Sequence, residues 1–178
     1  MRHKFDVQLI ELKKKIVDMS DLVHQAIEQA MQSLKQRNLE IADTVIKNDE
    51  LINNYEGEIE QLCTHLVATQ QPFASDLRKI VASYKIIAAL ERMGDLAVDI
   101  AKISRRIGAV PIIKPLIDLP KMAEIVITMM HTAVEAFINE DIQLARSLAE
   151  MDHEVDHHYQ RVFTELNEMM AKDPTLAA

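Results

Sequence analysis

Pairs of polar side chains that could bind a cation recur along the apolar seams of this sequence, the lines of apolar residues spaced three and four apart. Two carboxylates four residues apart lie on one helix face, about 6 Å from each other. They repel each other unless a cation, an arginine or a proton neutralises them. Stacked against a similar pair on a neighbouring helix, they form an all-oxygen cage for hard or borderline cations. The candidate pairs are Asp49 with Asn53, Glu91 with Asp95, and Asp152 with Asp156.

Four further side chains could add ligands to such a site, namely Glu56, Asp99, His153 and His157. Glu56 falls in the same seam as Asp49, and the two histidines share a helix face. Imidazole ligands widen the choice of metal toward iron, zinc, nickel or manganese. A solvated face of a polar helix is the simpler reason for each histidine taken alone.

The acidic residues are also compatible with two different roles. One is an ion-pair network at the rim of a helical bundle, formed with Arg78, Lys79, Lys85 or Arg92. The second is a ferritin-like or metal-storage bundle, since Glu-x-x-His occurs at 150–153 and 154–157. Di-iron bundles need that element on two helices, and the first three predicted helices contain none.

The composition excludes several classes of protein. The 178 residues carry a net charge of −8, which argues against a general nucleic-acid binder. With three glycines and no Walker, G-x-S-x-G or H-E-x-x-H motif, the chain is not expected to be an enzyme. One cysteine, no signal peptide and no apolar run long enough to span a bilayer predict a cytoplasmic protein without direct membrane insertion.

The apolar seams predict an all-α fold of five helices. Breaks are expected at Lys35–Asn38, at Gln70–Pro72 and at Gly108, a candidate helix C-cap. The fourth helix is predicted from about Pro120 to Asn139, and the fifth from about Asp141 to Lys172. The predicted organisation is a first three-helix bundle at 1–109, a proline-rich linker at 110–120 and a second bundle at 121–178.

The second half of the sequence repeats the first at an offset of 103 residues. The shift superposes identical residues and a shared helix–turn–helix–proline layout. The first copy has three helices and the second only two, so the sequence predicts an incomplete second bundle. The superposed identities include Met19 with Met122, Ala30 with Ala133, Ala42 with Ala145 and Asp49 with Asp152.

Several of these segments resemble the PhoU-type phosphate uptake regulators. Asp76–Arg78 followed by Leu90–Ala101 is similar to the D-x-R and L-E-R-x-G-D-x-A-x-x-I-A motifs of that family. The opening Phe5–Lys13 segment and the tandem repeat also fit, so the resemblance covers essentially the whole chain. It implies two antiparallel three-helix bundles, the second here lacking its last helix, with the three polar pairs as metal ligands. Asn53 departs from the family pattern and offers a weaker, neutral ligand.

The resemblance implies regulation rather than catalysis. It suggests a negative regulator of the phosphate-starvation response that contacts the ATPase subunit of the phosphate ABC transporter and the sensor histidine kinase of the phosphate regulon. Such a protein would be cytoplasmic and peripheral to the inner membrane through its partners. Bound iron, zinc, manganese or nickel would have a structural or tuning role, and a homo-oligomer is expected.

Overall fold

The computed structural model describes all residues except Met1, Gln71, Ala109, Pro111 and Ala178. The described part of the chain contains long α-helices and no strand, which confirms the predicted all-α class. Parts of the predicted break at Gln70–Pro72 and of the predicted linker at 110–120 lie outside the described residues. The helices are α1 Arg2–Gln36, α2 Leu39–Gln70, α3 Ala74–Ile107, α4 Asp118–Asn139 and α5 Ile142–Lys172, followed by a short 3-10 helix, Pro174–Ala177.

The helix ends follow from local chemistry. Asn38 Oδ1 accepts hydrogen bonds from the amides of Glu40 and Ile41, and this caps the first turn of α2. Asp141 caps α5 in the same way. Gly108, predicted as a C-cap, ends α3 at φ 55, where its amide donates to the Ser104 carbonyl oxygen. Glycine suits this conformation because it has no Cβ to clash.

The chain forms two compact units, Met1–Val110 and Pro111–Ala178. In the first unit α1, α2 and α3 each pack against the other two. Large apolar side chains from all three helices fill its core and are removed from solvent. The most deeply buried include Leu12, Ile16, Met19, Val23, Ile59, Leu66, Ile80 and Ile87.

Cys63 belongs to this core and forms no disulfide. Burial raises the pKa of its thiol to about 11, so the thiol stays protonated and unreactive at neutral pH. Cys63 is therefore an ordinary core residue.

In the second unit α4 packs against α5, and the short 3-10 helix packs against α5. Among the described side chains of this unit, the buried apolar ones are Met130, Val134 and Ala136. None of the helices in the described part of the chain has the length and apolarity needed to cross a membrane.

Candidate cation site

The first two predicted polar pairs lie on α2 and α3 where these helices approach closely. A Cβ added to Gly94 would lie 2.9 Å from Ile52 Cδ1 and 3.9 Å from Asp49 Oδ1. Gly94 itself sits between Glu91 and Asp95 in α3. The absent side chain at Gly94 therefore lets the acidic residues of the two helices approach one another.

The carboxylates of this region share one electrostatic field. Burial raises the pKa of Glu91, and the negative charges of Asp95 and Asp49 raise it further. Burial also raises the pKa of Glu56, with added repulsion from Glu91, Glu60 and Asp95. Desolvation and like charges both disfavour the ionised form of a carboxyl group. We call Asp49, Glu56, Glu91 and Asp95 the acidic cluster.

Two side chains on the same helices contact the acidic cluster, and one of them partly compensates its negative charge. Arg92 lies near Glu91 and lowers its pKa, and its Nη1 lies 4.0 Å from Asp95 Oδ2. Both members of this ion pair are well exposed, so it contributes little to stability. Asn53 Nδ2 donates to Asp49 Oδ2 at 3.3 Å. Arg92 thus fits the predicted ion network, and Asn53 neutralises no charge.

The donor chemistry of the acidic cluster suits a cation, but its side chains are not gathered into a finished metal site. Among the residues that the structure describes, no three His, Cys, Asp or Glu side chains come close enough together to hold a metal ion. Asp99, another predicted ligand, lies 3.3 Å from Lys102 Nζ in an exposed ion pair within α3. The metal assignment of these residues therefore stays a prediction.

The predicted ligands of the second unit, Asp152, His153, Asp156 and His157, are all exposed on α5. The structure does not test their role in metal binding. They belong to the second unit and so form a candidate set separate from the acidic cluster.

The packed side of α5 differs from the predicted seam. The sequence places Asp152 and Tyr159 in line, whereas the structure leaves both exposed and packs Met151 and His158 inward. The packed line reaches Met151 by a step of three residues, where the predicted line reaches Asp152 by a step of four, so the packed side lies partly round the helix from the predicted one. His158 lies on the packed line but is polar, so a line of apolar residues does not include it.

A buried polar pair that sequence reasoning missed joins α4 to α5. Asp118 Oδ1 lies 2.8 Å from His158 Nδ1 and 3.6 Å from Arg161 Nη1. The side chains of Asp118 and His158 are only 4% and 10% exposed. The hydrogen bond to His158 holds the pKa of Asp118 below its usual value, and the charges of Arg161 and Lys114 add to this. Lys114 also pairs with Glu165 of α5.

Comparisons with known proteins match both units to one family. The family model described as "PhoU domain" matches residues 16–104 and 119–178. A phosphate-specific transport system accessory protein PhoU homolog from Aquifex aeolicus is 39% identical over 94% of this chain and 76% of its own length. The Escherichia coli K12 accessory protein PhoU is 29% identical over 96% of this chain and 70% of its own length.

Solved structures show the same likeness. The crystal structure of PhoU from Pseudomonas aeruginosa matches with a TM-score of 0.90 and 29% identity, covering 97% of this chain and 83% of that chain. The phosphate transport system regulatory protein PhoU from Streptococcus pneumoniae matches with a TM-score of 0.86 and 28% identity, over 95% and 80% of the two chains. The predicted resemblance and fold class are therefore confirmed.

Proposed function

Because the chain belongs to the PhoU family, we propose that it is a negative regulator of the phosphate-starvation response and of phosphate uptake. The observation that carries this proposal is the family match across both units. The relatives are named as accessory proteins of a phosphate transport system, which supports a role in phosphate transport regulation. The same names favour regulation over the alternative of metal storage.

In this proposal the protein acts through contacts with other proteins. The contacts are with the ATPase subunit of the phosphate ABC transporter and with the sensor histidine kinase, on the cytoplasmic side of the inner membrane. An accessory role in a transport system supports contact with transport components. The long helices present extended surfaces for such contacts. The relatives are named as accessory proteins rather than as enzymes.

Deleting the gene in its own host is expected to leave a phosphate-starvation reporter active in high phosphate. Repression should return when the chain is supplied from a plasmid. The measurement is reporter activity in high and low phosphate, with the empty plasmid as control. A deletion strain that still represses the reporter in high phosphate would contradict the proposed role.

The proposal also includes a cation held by the acidic cluster in a structural or tuning role. Asp49, Glu91 and Asp95 would supply carboxylate oxygens, with Asn53 as a neutral ligand. The raised pKa values of Glu56 and Glu91 support this, because they reveal uncompensated negative charge that a cation would relieve. The Asp152 and Asp156 pair is proposed for the same role in the second unit, since Asp152 is the repeat counterpart of Asp49.

Without metal, Glu91→Gln is expected to stabilise the first unit. A carboxyl group whose pKa is raised in the folded state destabilises the fold when it is ionised. Replacing Glu91 should therefore raise the free energy of unfolding at neutral pH and leave it nearly unchanged near pH 4, where the group is largely protonated. The gain should be about 0.5 kcal/mol, the scale of one like-charge pair four residues apart. Urea unfolding in a chelator at both pH values measures it, with Glu28→Gln on an exposed part of α1 as the control.

Added Mn²⁺ should reverse this difference and make the first unit of the wild-type chain more stable than that of Glu91→Gln. The first unit of the wild-type chain is expected to melt at a higher temperature with Mn²⁺, whereas that of Glu91→Gln should not. Glu91→Gln should also retain less metal after desalting, because only the Asp152 and Asp156 pair would still bind it. Equal metal retention by both chains, measured by elemental analysis, would argue for the ion network instead of a metal site.

A further inference from the structure

An ion pair joins the first two helices of each unit at matching positions of the repeat. In the first unit Lys15 Nζ of α1 lies 2.7 Å from Glu58 Oε2 of α2. In the second unit Asp118 Oδ1 of α4 lies 3.6 Å from Arg161 Nη1 of α5. The offset of 103 residues carries position 15 to 118 and position 58 to 161. The same contact therefore holds α1 on α2 and α4 on α5, but with the signs of its two charges reversed.

A ring beside each ion pair also occupies a matching position. The centroid of the Tyr55 ring lies 5.7 Å from Lys15 Nζ. Its repeat counterpart His158 lies 2.8 Å from Asp118 Oδ1 through its Nδ1. The face of a phenol ring attracts a cation, whereas an imidazole N–H donates to a carboxylate. Each ring thus suits the sign of the charge on the opposite helix.

A third charged position of the contact is reversed in the same way. Glu11 precedes Lys15 by four residues, and its repeat counterpart Lys114 precedes Asp118 by four. Lys114 pairs with Glu165 of α5. The side of α5 that receives the preceding segment therefore carries charges chosen for the second unit.

The apolar residues of the two copies distinguish these helix pairs poorly. Identical alanines occupy positions 30 and 133, and again positions 42 and 145. By apolar pattern alone, α1 matches α5 nearly as well as it matches α2, and α4 matches α2. Exchange of equivalent elements is a characteristic misfolding route of repeat proteins.

The charges do distinguish the helix pairs. If α1 packed on α5, or α4 on α2, in the register of the repeat, each charged contact would bring groups of like sign together. Like charges across a contact oppose association, and the Asp118 side chain, only 4% exposed, would lose its cation where it is desolvated. The three contacts are Lys15 with Arg161, Glu11 with Glu165, and Asp118 with Glu58.

We propose that these reversed charges determine which helices pair as the chain folds, so that α1 packs on α2, α4 packs on α5, and the two units do not exchange helices. The charges act by disfavouring the alternative pairings, which is how charge patterns also select partners in other helical assemblies. The inference concerns folding and is independent of the proposed role in phosphate regulation.

The test gives the first unit the charges of the second. Lys15→Asp with Glu58→Arg keeps an ion pair within the first unit, but it makes the contacts of α1 with α5 and of α4 with α2 attractive. A disulfide between Glu11→Cys and Glu165→Cys, in a chain with Cys63→Ala, reports the pairing of α1 with α5. The chain is diluted from urea under oxidising conditions, and mass spectrometry of the non-reduced digest measures the yield of this disulfide.

The yield is expected to be about fivefold higher in the charge-reversed chain than in the parent with the cysteine changes alone, because two repulsive contacts become attractive. Raised salt should narrow this difference. Chains oxidised in the folded state, without unfolding, give the background to be subtracted. The matched control is Lys14→Asp with Glu28→Arg, which reverses two exposed charges of α1 and should leave the yield unchanged.

Equal disulfide yields in the parent and in the charge-reversed chain would overturn the proposal. Lys15→Ala with Glu58→Ala should raise the yield less than the reversal does. An equal rise would mean that loss of the native ion pair, and not the sign of the charges, permits the exchange. The reciprocal change, Asp118→Lys with Arg161→Glu, gives the second unit the charges of the first and should also raise the yield. Circular dichroism confirms that each refolded chain is helical.

Discussion

Replacing Asp118 with alanine is expected to lower the free energy of unfolding of the second unit by about 2–3 kcal/mol. Asp118 is buried, accepts the bond from His158 Nδ1, and faces the charge of Arg161. Without the carboxylate, the His158 nitrogen loses its partner inside the α4–α5 contact. A buried polar group without a partner costs its desolvation free energy, and that cost is the source of the predicted effect.

Hydrogen exchange measured by mass spectrometry shows whether the loss of stability is confined to the second unit. Exchange in α4 and α5 should accelerate in Asp118→Ala, while exchange in α1 to α3 should not change. Glu124→Ala is the matched control, since it removes an exposed acid from the same helix and should change stability by less than about 0.5 kcal/mol. Equal exchange in the two variants would show that the buried pair does not hold the unit together.

The pH dependence of the stability tests the same prediction in a second way. The pKa of Asp118 is held below its ordinary value of 3.8, so its ionised form stabilises the folded state. That contribution is complete above the ordinary value and is lost as pH falls through the lowered value. The difference in stability between the wild-type chain and Asp118→Ala should therefore shrink as the pH falls below about 4.

The helix boundaries could be predicted from sequence because the signals that set them are local. Gly108 and Asp141 end or begin a helix through bonds to residues within a few positions of themselves. The packed side of α5 was harder to predict, because Val155 and Val162 belong equally to the line through Asp152 and to the line through Met151. The burial of His158 distinguishes the two lines, and a pattern of apolar residues cannot predict the burial of a histidine.

The Asp118–His158 pair could not be predicted for a related reason. Its two members are 40 residues apart and meet only because α4 turns back along α5. Asp118 also falls in the segment predicted as a linker. The acidic cluster was easier to predict, since Asp49, Glu91 and Asp95 occupy regular positions on two adjacent helices. Even there, the close packing of Gly94 against Ile52 shows only in the packed structure.

Gly94→Val is the second substitution with a large expected effect, a loss of about 2–3 kcal/mol from the first unit. The added Cβ would lie 2.9 Å from Ile52 Cδ1 and 3.4 Å from Ile52 Cγ2, closer than carbon atoms pack. The nearest atom is the terminal methyl of the buried Ile52 side chain, so Ile52 must change its conformation inside a packed core to make room for the valine. Gly57→Val is the matched control, because a Cβ there meets nothing within 4 Å.

A double-mutant cycle with Ile52→Ala tests whether this contact causes the loss. Ile52→Ala alone should cost about 2–4 kcal/mol, because it leaves a cavity in the core. In Gly94→Val it should cost much less, since the new side chain occupies that space, giving a favourable coupling above about 1 kcal/mol. Urea unfolding of the four chains measures the coupling. Strictly additive losses would mean that the contact between the new side chain and Ile52 does not cause the loss of stability.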